Sequence, residues 1–269
     1  MGETSLRLLK KVRMVTERIG HDILWVRQTE STNDLAWREA DRGCADGTIV
    51  LAEEQTAGRG RLGRPWFCPP EKGILASVVL RPGMPVDRAP LVTVCGALAV
   101  RDVATALTAV PAGIRWPNDV LLGGRKVAGV LVESRPQAGE AGPVFVLGIG
   151  LNVNVKESEF PEAIREEATS LDLAARRRVD RLEAARALVE ALDGWYLRLR
   201  GGRTEELASA WREASAILRK RVEVTVGGET HRGTVEDLDP CEGVFLRLDR
   251  GQILRLRGEH VERLRLVDA

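Results

Sequence analysis

The sequence predicts an α+β protein: strand-like and helix-like segments interleave over residues 1–214, and a small all-β module follows over residues 215–269. Apolar runs of strand length are interspersed with segments whose apolar residues recur at helical spacing. After about Ser215 the texture changes to short alternating runs separated by turn residues. The chain has 269 residues, 44% hydrophobic and 29% charged, which suffices for one large domain, or one large and one small.

Taken in order, residues up to about Gly20 mix apolar and basic side chains at roughly helical spacing (Leu8, Leu9, Val12, Met14, Val15), and Ile23 to Arg27 reads as a strand. Ser31-Thr32-Asn33-Asp34 opens a helix that Gly43 ends, and Thr48 to Ala52 is a short strand. A Gly/Arg loop runs from Thr56 to Trp66, before a strand from Ile74 to Leu80 and a buried helix from Leu91 to Leu107. Val120 to Ser134 is a hairpin turning at Gly123-Gly124. A flexible stretch from Pro136 to Gly142 leads into a strand from Val144 to Gly150. Helices follow at Val179 to Leu199 and Thr204 to Ala214. The module after Ser215 contains strands at Val222 to Val226, Thr230 to Glu236, Gly243 to Leu248 and Gln252 to Leu256.

Forty basic residues against 39 acidic ones give no whole-chain attraction to nucleic acid or to an anionic membrane. Cys44, Cys68, Cys95 and Cys241 lie far apart without CxxC or a nearby histidine pair, which argues against a metal site and for reduced thiols in a cytoplasmic protein. No secretory signal is apparent. The uncharged stretch Ala89 to Val100 is shorter than the roughly 20 residues a membrane span needs.

Gly58-Arg59-Gly60-Arg61-Leu62-Gly63 matches G-x-G-x-x-G, but Arg64-Pro65-Trp66 follows it and no helix opens, so a dinucleotide fold is disfavoured. Arg59, Arg61 and Arg64 can grip carboxylate or phosphate oxygens, and the glycines let backbone N–H groups approach a ligand; a solvated basic loop is the alternative. Lys126 begins the return strand of the hairpin, where period-two alternation would put it with Ala128, Val130 and Val132. An ammonium on that apolar face either meets a bound anion or snorkels to water. Gly129 leaves room against the sheet. Asn118 and Asp119 put an amide and a carboxylate at a strand start. Ser31, Thr32 and Asn33 either cap a helix or read a polar head group. Asn152 ends a strand after Gly148-Ile149-Gly150, where a turn and a close backbone approach are both open.

The order and spacing of five segments resemble the biotin protein ligase family: Ser31-Thr32-Asn33, Gln55 to Trp66, Arg115 to Asp119, Arg125 to Glu133, and Gly148 to Asn154. The likeness is firm over residues 22 to 175 and looser beyond. It implies a mixed sheet flanked by helices, akin to class II aminoacyl-tRNA synthetases, then a small SH3-like β-barrel. It implies that biotin and ATP are substrates, that Mg2+ accompanies ATP, and that biotin passes through biotinyl-5′-AMP to a lysine of a biotin carboxyl carrier protein domain. Position by position, Ser31, Thr32, Asn33 and Gln55 would meet the biotin rings. Arg59, Gly60 and Arg61 would close over its carboxylate and the phosphates, Arg64 would bind phosphate, and Trp66 would pack on adenine. Lys126, beside Gly129, would sit between carboxylate and α-phosphate. Asn118, Asp119 and Asn152 would help hold ATP and its metal ion. Asp119 is also a candidate to orient or deprotonate the acceptor lysine.

About twenty residues precede the first matching strand, too few for the winged helix-turn-helix of repressor members, so no DNA-binding role is expected; with the near-zero net charge and no span-length apolar run, neither a nucleic-acid nor a membrane partner is expected. The family analogy also offers a sheet-edge homodimer. Two rivals remain: a lipoate or octanoate ligase, and a non-catalytic biotin sensor.

Overall fold

The interleaved strands and helices build one eight-stranded sheet, and the tail builds a second sheet of five strands. The computed structural model describes residues 8–12, 14–136 and 142–267. The large sheet runs in the order β1 (Leu8–Val12), β2 (Ile23–Thr29), β3 (Ile49–Gln55), β4 (Gly73–Leu80), β8 (Val144–Asn152), β7 (Arg125–Arg135), β6 (Asp119–Leu122) and β5 (Ala112–Arg115). It is mixed: β2 and β3 are parallel, joined by the crossover helix α1 (Thr32–Asp41), and the other pairs are antiparallel.

The N-terminal segment departs from its helical spacing. Leu8–Val12 forms a strand against β2, and Glu17, Arg18 and Ile19 donate their backbone N–H groups to the buried Asp193 carboxylate at 2.8–3.0 Å. Tertiary pairing overrides a weak periodicity here. Residues 1–7, and residues 137–141 of the stretch expected to be flexible, lie outside the described residues.

Alternation along the strands separates the two faces. Val50, Ala52, Val79, Val144 and Val146 pack under α1 through Leu35, Ala36 and Ala40. On the other face Ile49, Val78, Leu147 and Leu151 meet α2 (Ala89–Thr108) and α5 (Arg181–Arg200). By length and composition, residues Val86–Thr108 could cross a membrane. In this fold α2 is instead the core helix, with Leu98, Ala99 and Val100 fully buried. Two short helices missed in the sequence, α3 (Glu162–Arg165) and α4 (Leu171–Ala175), bridge β8 to α5.

After α6 (Thr204–Glu213) the second sheet runs β12 (Ile253–Leu256), β11 (Gly243–Leu248), β10 (Glu229–Asp239), β9 (Arg221–Val226), β13 (Val261–Leu266), all antiparallel. Its core is continuous with that of the large sheet: Val222, Val224, Val235 and Leu246 belong to the same packed cluster as Leu98 and Ile114.

Candidate active site

The cleft lies on the face of the large sheet that carries α1, and the second sheet closes one side of it. Its volume is about 780 Å3. Three glycines make it possible. Gly148 and Gly150 on β8 and Gly129 on β7 point where side chains would otherwise fill the space. A Cβ at Gly148 would meet Asn33 Oδ1 at 2.4 Å, and one at Gly150 would meet Trp66 Cε2 at 2.3 Å. The glycines therefore admit Asn33 and Trp66 to the sheet backbone. At Gly129, where open room was expected, the Trp66 ring already stands 3.1 Å from a Cβ position.

The start of α1 forms the polar end. Ser31 occupies the N-cap position, yet its side chain makes no cap hydrogen bond, so capping does not explain this residue. Thr32 donates through its backbone N–H (2.7 Å) and hydroxyl (3.0 Å) to Gln55 Oε1. Ser77, which sequence reasoning missed, donates to Asn33 Oδ1 at 2.6 Å, and its oxygen lies 2.8 Å from Thr32 Oγ1. One group is left over at this end: Asn33 Nδ2 is buried and has no hydrogen-bond partner among the described residues, a donor available to a ligand.

Lys126 reaches the cleft by a route the alternation argument did not foresee. The Gly123-Gly124 turn has both residues at positive φ (55° and 80°), as a two-residue hairpin requires. A bulge follows: Val120 pairs with Ala128 but Leu121 pairs with Lys126, so Val127 is the extra residue. Lys126 therefore shares the cleft face with Gly129, while Ala128 and Val130 face the core. The adjacent segment holds its backbone: Lys126 N donates to Glu167 O at 2.7 Å and Thr169 N donates to Lys126 O at 2.8 Å. Lys126 Nζ lies 2.5 Å from Asp119 Oδ1 and 5.5 Å from the centroid of a Trp66 ring. Arg115 grips the other Asp119 oxygen at 3.0 Å. Asn118, which lines the cleft, donates through Nδ2 to Val130 O at 2.6 Å.

The Gly/Arg loop folds as a small backbone hairpin, with Gly60 N donating to Arg64 O (2.7 Å) and Trp66 N donating to Gly58 O (2.8 Å). Its side chains diverge. Arg59 forks onto Asp34 at 2.5 and 2.8 Å and reaches Glu133 at 3.2 Å. The Arg59 hydrogen bond holds the Asp34 carboxyl below its ordinary value, and Asp34 raises the guanidinium in turn. Arg61 donates to the carbonyls of Gly258 and Val261, and burial pulls its guanidinium below the usual arginine value. Arg64 donates to Glu262 O at 2.8 Å. The loop thus ties to α1 and β7 at its base and to the second sheet at its tip.

Asn152 is the one expected site residue that the structure does not bring to the cleft. It is buried behind the wall, where Nδ2 donates to Thr169 O at 3.1 Å. Sequence reasoning missed Asp34 and Glu133 as partners of Arg59, although both stand inside the segments it quoted. It also missed the rim from Val261 to Leu266, for which no local pattern gave a sign.

A cluster of at least three metal-binding side chains does not occur among the described residues. The acids that line the cleft are Asp119, Glu167 and Glu262. That set fits a magnesium ion held mainly by phosphate oxygens with one or two carboxylates.

Comparison with known proteins agrees with this geometry. The model of the biotin/lipoate A/B protein ligase family matches residues 25–154, the span from β2 to the end of β8 that builds most of the cleft. The bifunctional ligase/repressor BirA of Bacillus subtilis is 36% identical over 67% of this chain, and the chain spans about half, 54%, of that relative's length. The biotin–[acetyl-CoA-carboxylase] ligase of Mycobacterium tuberculosis is 38% identical, with 80% of this chain and 79% of the relative covered. A solved biotin protein ligase from Aquifex aeolicus, in complex with biotin and ATP, superposes with a TM-score of 0.75 at 27% identity over 91% of this chain and 99% of its own. Cleft, fold and sequence point the same way: the chain belongs to the biotin protein ligase family.

Proposed function

We propose that the chain is an ATP-dependent ligase that joins biotin to AMP as biotinyl-5′-AMP, then transfers the biotinyl group to a lysine of a biotin carboxyl carrier protein domain. The observation that carries this is the placement of Lys126, in one cleft with Arg61 and the polar start of α1.

Biotin's ureido ring needs donors and acceptors at the closed end. Ser31, Thr32, Asn33 and Gln55 supply both, and the unpartnered Asn33 Nδ2 suits the ureido carbonyl. The carboxylate then lies beside Gly129 and Lys126. Activation brings two anions together, a carboxylate and the α-phosphate, so it requires cations fixed beforehand. Lys126 and Arg61 stabilise the charge that develops as the carboxylate oxygen attacks phosphorus and pyrophosphate leaves. Arg64 takes a phosphate at the mouth, and Trp66 forms a flat wall for rings. Asn118 and Asp119 orient the nucleotide. Asp119 would help hold a magnesium ion, which would supply further neutralisation of phosphate charge. The loop from Thr56 to Trp66 keeps water from the reactive anhydride. The acceptor amine then attacks the acyl carbon, AMP leaves, and Asp119 orients the amine.

The same reading makes residues 1–214 the catalytic unit, with a mixed sheet like that of class II aminoacyl-tRNA synthetases, and residues 215–269 an SH3-like barrel. It places the protein in the cytoplasm, with a homodimer formed through a sheet edge.

ATP–pyrophosphate exchange tests the proposal. Exchange is expected with biotin and not with lipoate or octanoate. Exchange with either of those acids instead would move the chain to a neighbouring activity. No exchange by folded protein that binds biotin would leave a sensor.

A further inference from the structure

Arg59 has no positive charge to spare. Its guanidinium meets two carboxylates, Asp34 on the first turn of α1 and Glu133 on β7, so the cluster is net negative. Glu133 is itself oriented, because its second oxygen accepts a hydrogen bond from Trp37 Nε1 at 2.8 Å. Behind it the Arg135 guanidinium stacks 4.2 Å from the Trp37 ring and pairs with Asp41 at 2.6 Å. An anion brought to Arg59 would face two carboxylates at once, which like-charge repulsion disfavours. The fork instead spans two elements: one provides the polar start of the cleft, the other carries Lys126. A point-charge ammonium cannot reproduce a bidentate grip on Asp34 together with a third contact to Glu133.

We propose that Arg59 is a positioning residue, and that Asp34 and Glu133 are the positioning residues that fix it. Together they form a clamp that sets the Gly58–Trp66 hairpin over the cleft. The backbone hydrogen bonds of the hairpin carry the constraint from Arg59 to Arg61 on one side and Trp66 on the other. The clamp deepens the ligase reading, and the kinetic part of its test rests on that reading.

Four variants test it: Asp34→Asn, Glu133→Gln, Arg59→Lys and Arg59→Met. All change partly exposed side chains, and Glu133→Gln keeps an acceptor for Trp37. Hydrogen exchange of the peptide covering residues 58–66, with no small molecule added, reads the clamp whatever the enzyme's substrate. Each variant is expected to speed that exchange about tenfold. In pyrophosphate exchange, Asp34→Asn and Glu133→Gln are expected to raise KM for biotin about tenfold while kcat falls less than twofold, and Arg59→Lys should fail to rescue Arg59→Met. A gripping Arg59 gives the opposite pattern: removing either carboxylate would free it, and KM for biotin would fall or stay level while Arg59→Met alone raised it. That pattern, or unchanged hydrogen exchange in the carboxylate variants, overturns the proposal. Wild-type turnover of another acid would refute the ligase reading and leave the hydrogen-exchange result to decide the clamp.

Discussion

A single methyl group tests the architecture of the cleft. Gly150→Ala puts a Cβ 2.3 Å from Trp66, so the indole must leave its place on the sheet. The expected result is a KM for ATP raised about tenfold or more with a melting point within a few degrees of wild type, because the ring faces a cleft and not a packed core. An unchanged KM would remove Trp66 from the wall of the site. Lys126→Ala should cut adenylate formation at least a hundredfold, the scale of one lost transition-state contact; a variant that still exchanges pyrophosphate at the wild-type rate would sink the role given to Lys126. The thiols make a separate prediction. Burial pushes Cys68 up to about 12 and Cys95 higher still, so at pH 7–8 iodoacetamide should leave both untouched in native protein and label them after unfolding. At this scale the sequence was informative wherever chemistry was unusual, as with Lys126, the arginines and Asn33. It did not reveal who pairs with whom. Asp34 read as part of a helix start, and only the fold brings Glu133 beside it.

Elements were legible where their pattern was long. The helix over residues 89–108 follows from its nearly uncharged run, that over 181–200 from its amphipathic spacing, and the Gly123-Gly124 hairpin from its turn. The missed strands, β5 and β13, are short or interrupted by charges, and pairing with distant partners decides them. The bulge at Val127 shows the limit of period-two counting, since one extra residue reverses the face of everything before it. The N-terminal segment shows another limit. It is held by Asp193 on α5, which accepts three backbone N–H groups from 175 or so residues away. Asp193→Ala leaves these donors without their acceptor and is expected to cost about 3 kcal/mol in urea unfolding. A change below about 0.5 kcal/mol would mean that solvent replaces the carboxylate there.

At the level of the whole molecule, two sheets share one hydrophobic cluster. Unfolding is therefore expected as one cooperative transition in urea, with tryptophan fluorescence and far-ultraviolet circular dichroism coincident. Two separated transitions would show that residues 215–269 are an independent unit. The change of texture near Ser215 announced a second sheet, yet nothing in the sequence announced that it would share a core with the first. The rim of the cleft adds a matter of timing. Arg61 closes on carbonyls at Gly258 and Val261, almost two hundred positions later in the chain. A ribosome adding about 5–20 residues per second needs on the order of ten seconds or more to travel from the loop to that rim. Until then the emerging chain holds Lys126 and the arginines but lacks one wall of the site, so, on the ligase reading, the nascent protein can own every reactive group and still be unable to keep a labile intermediate from water.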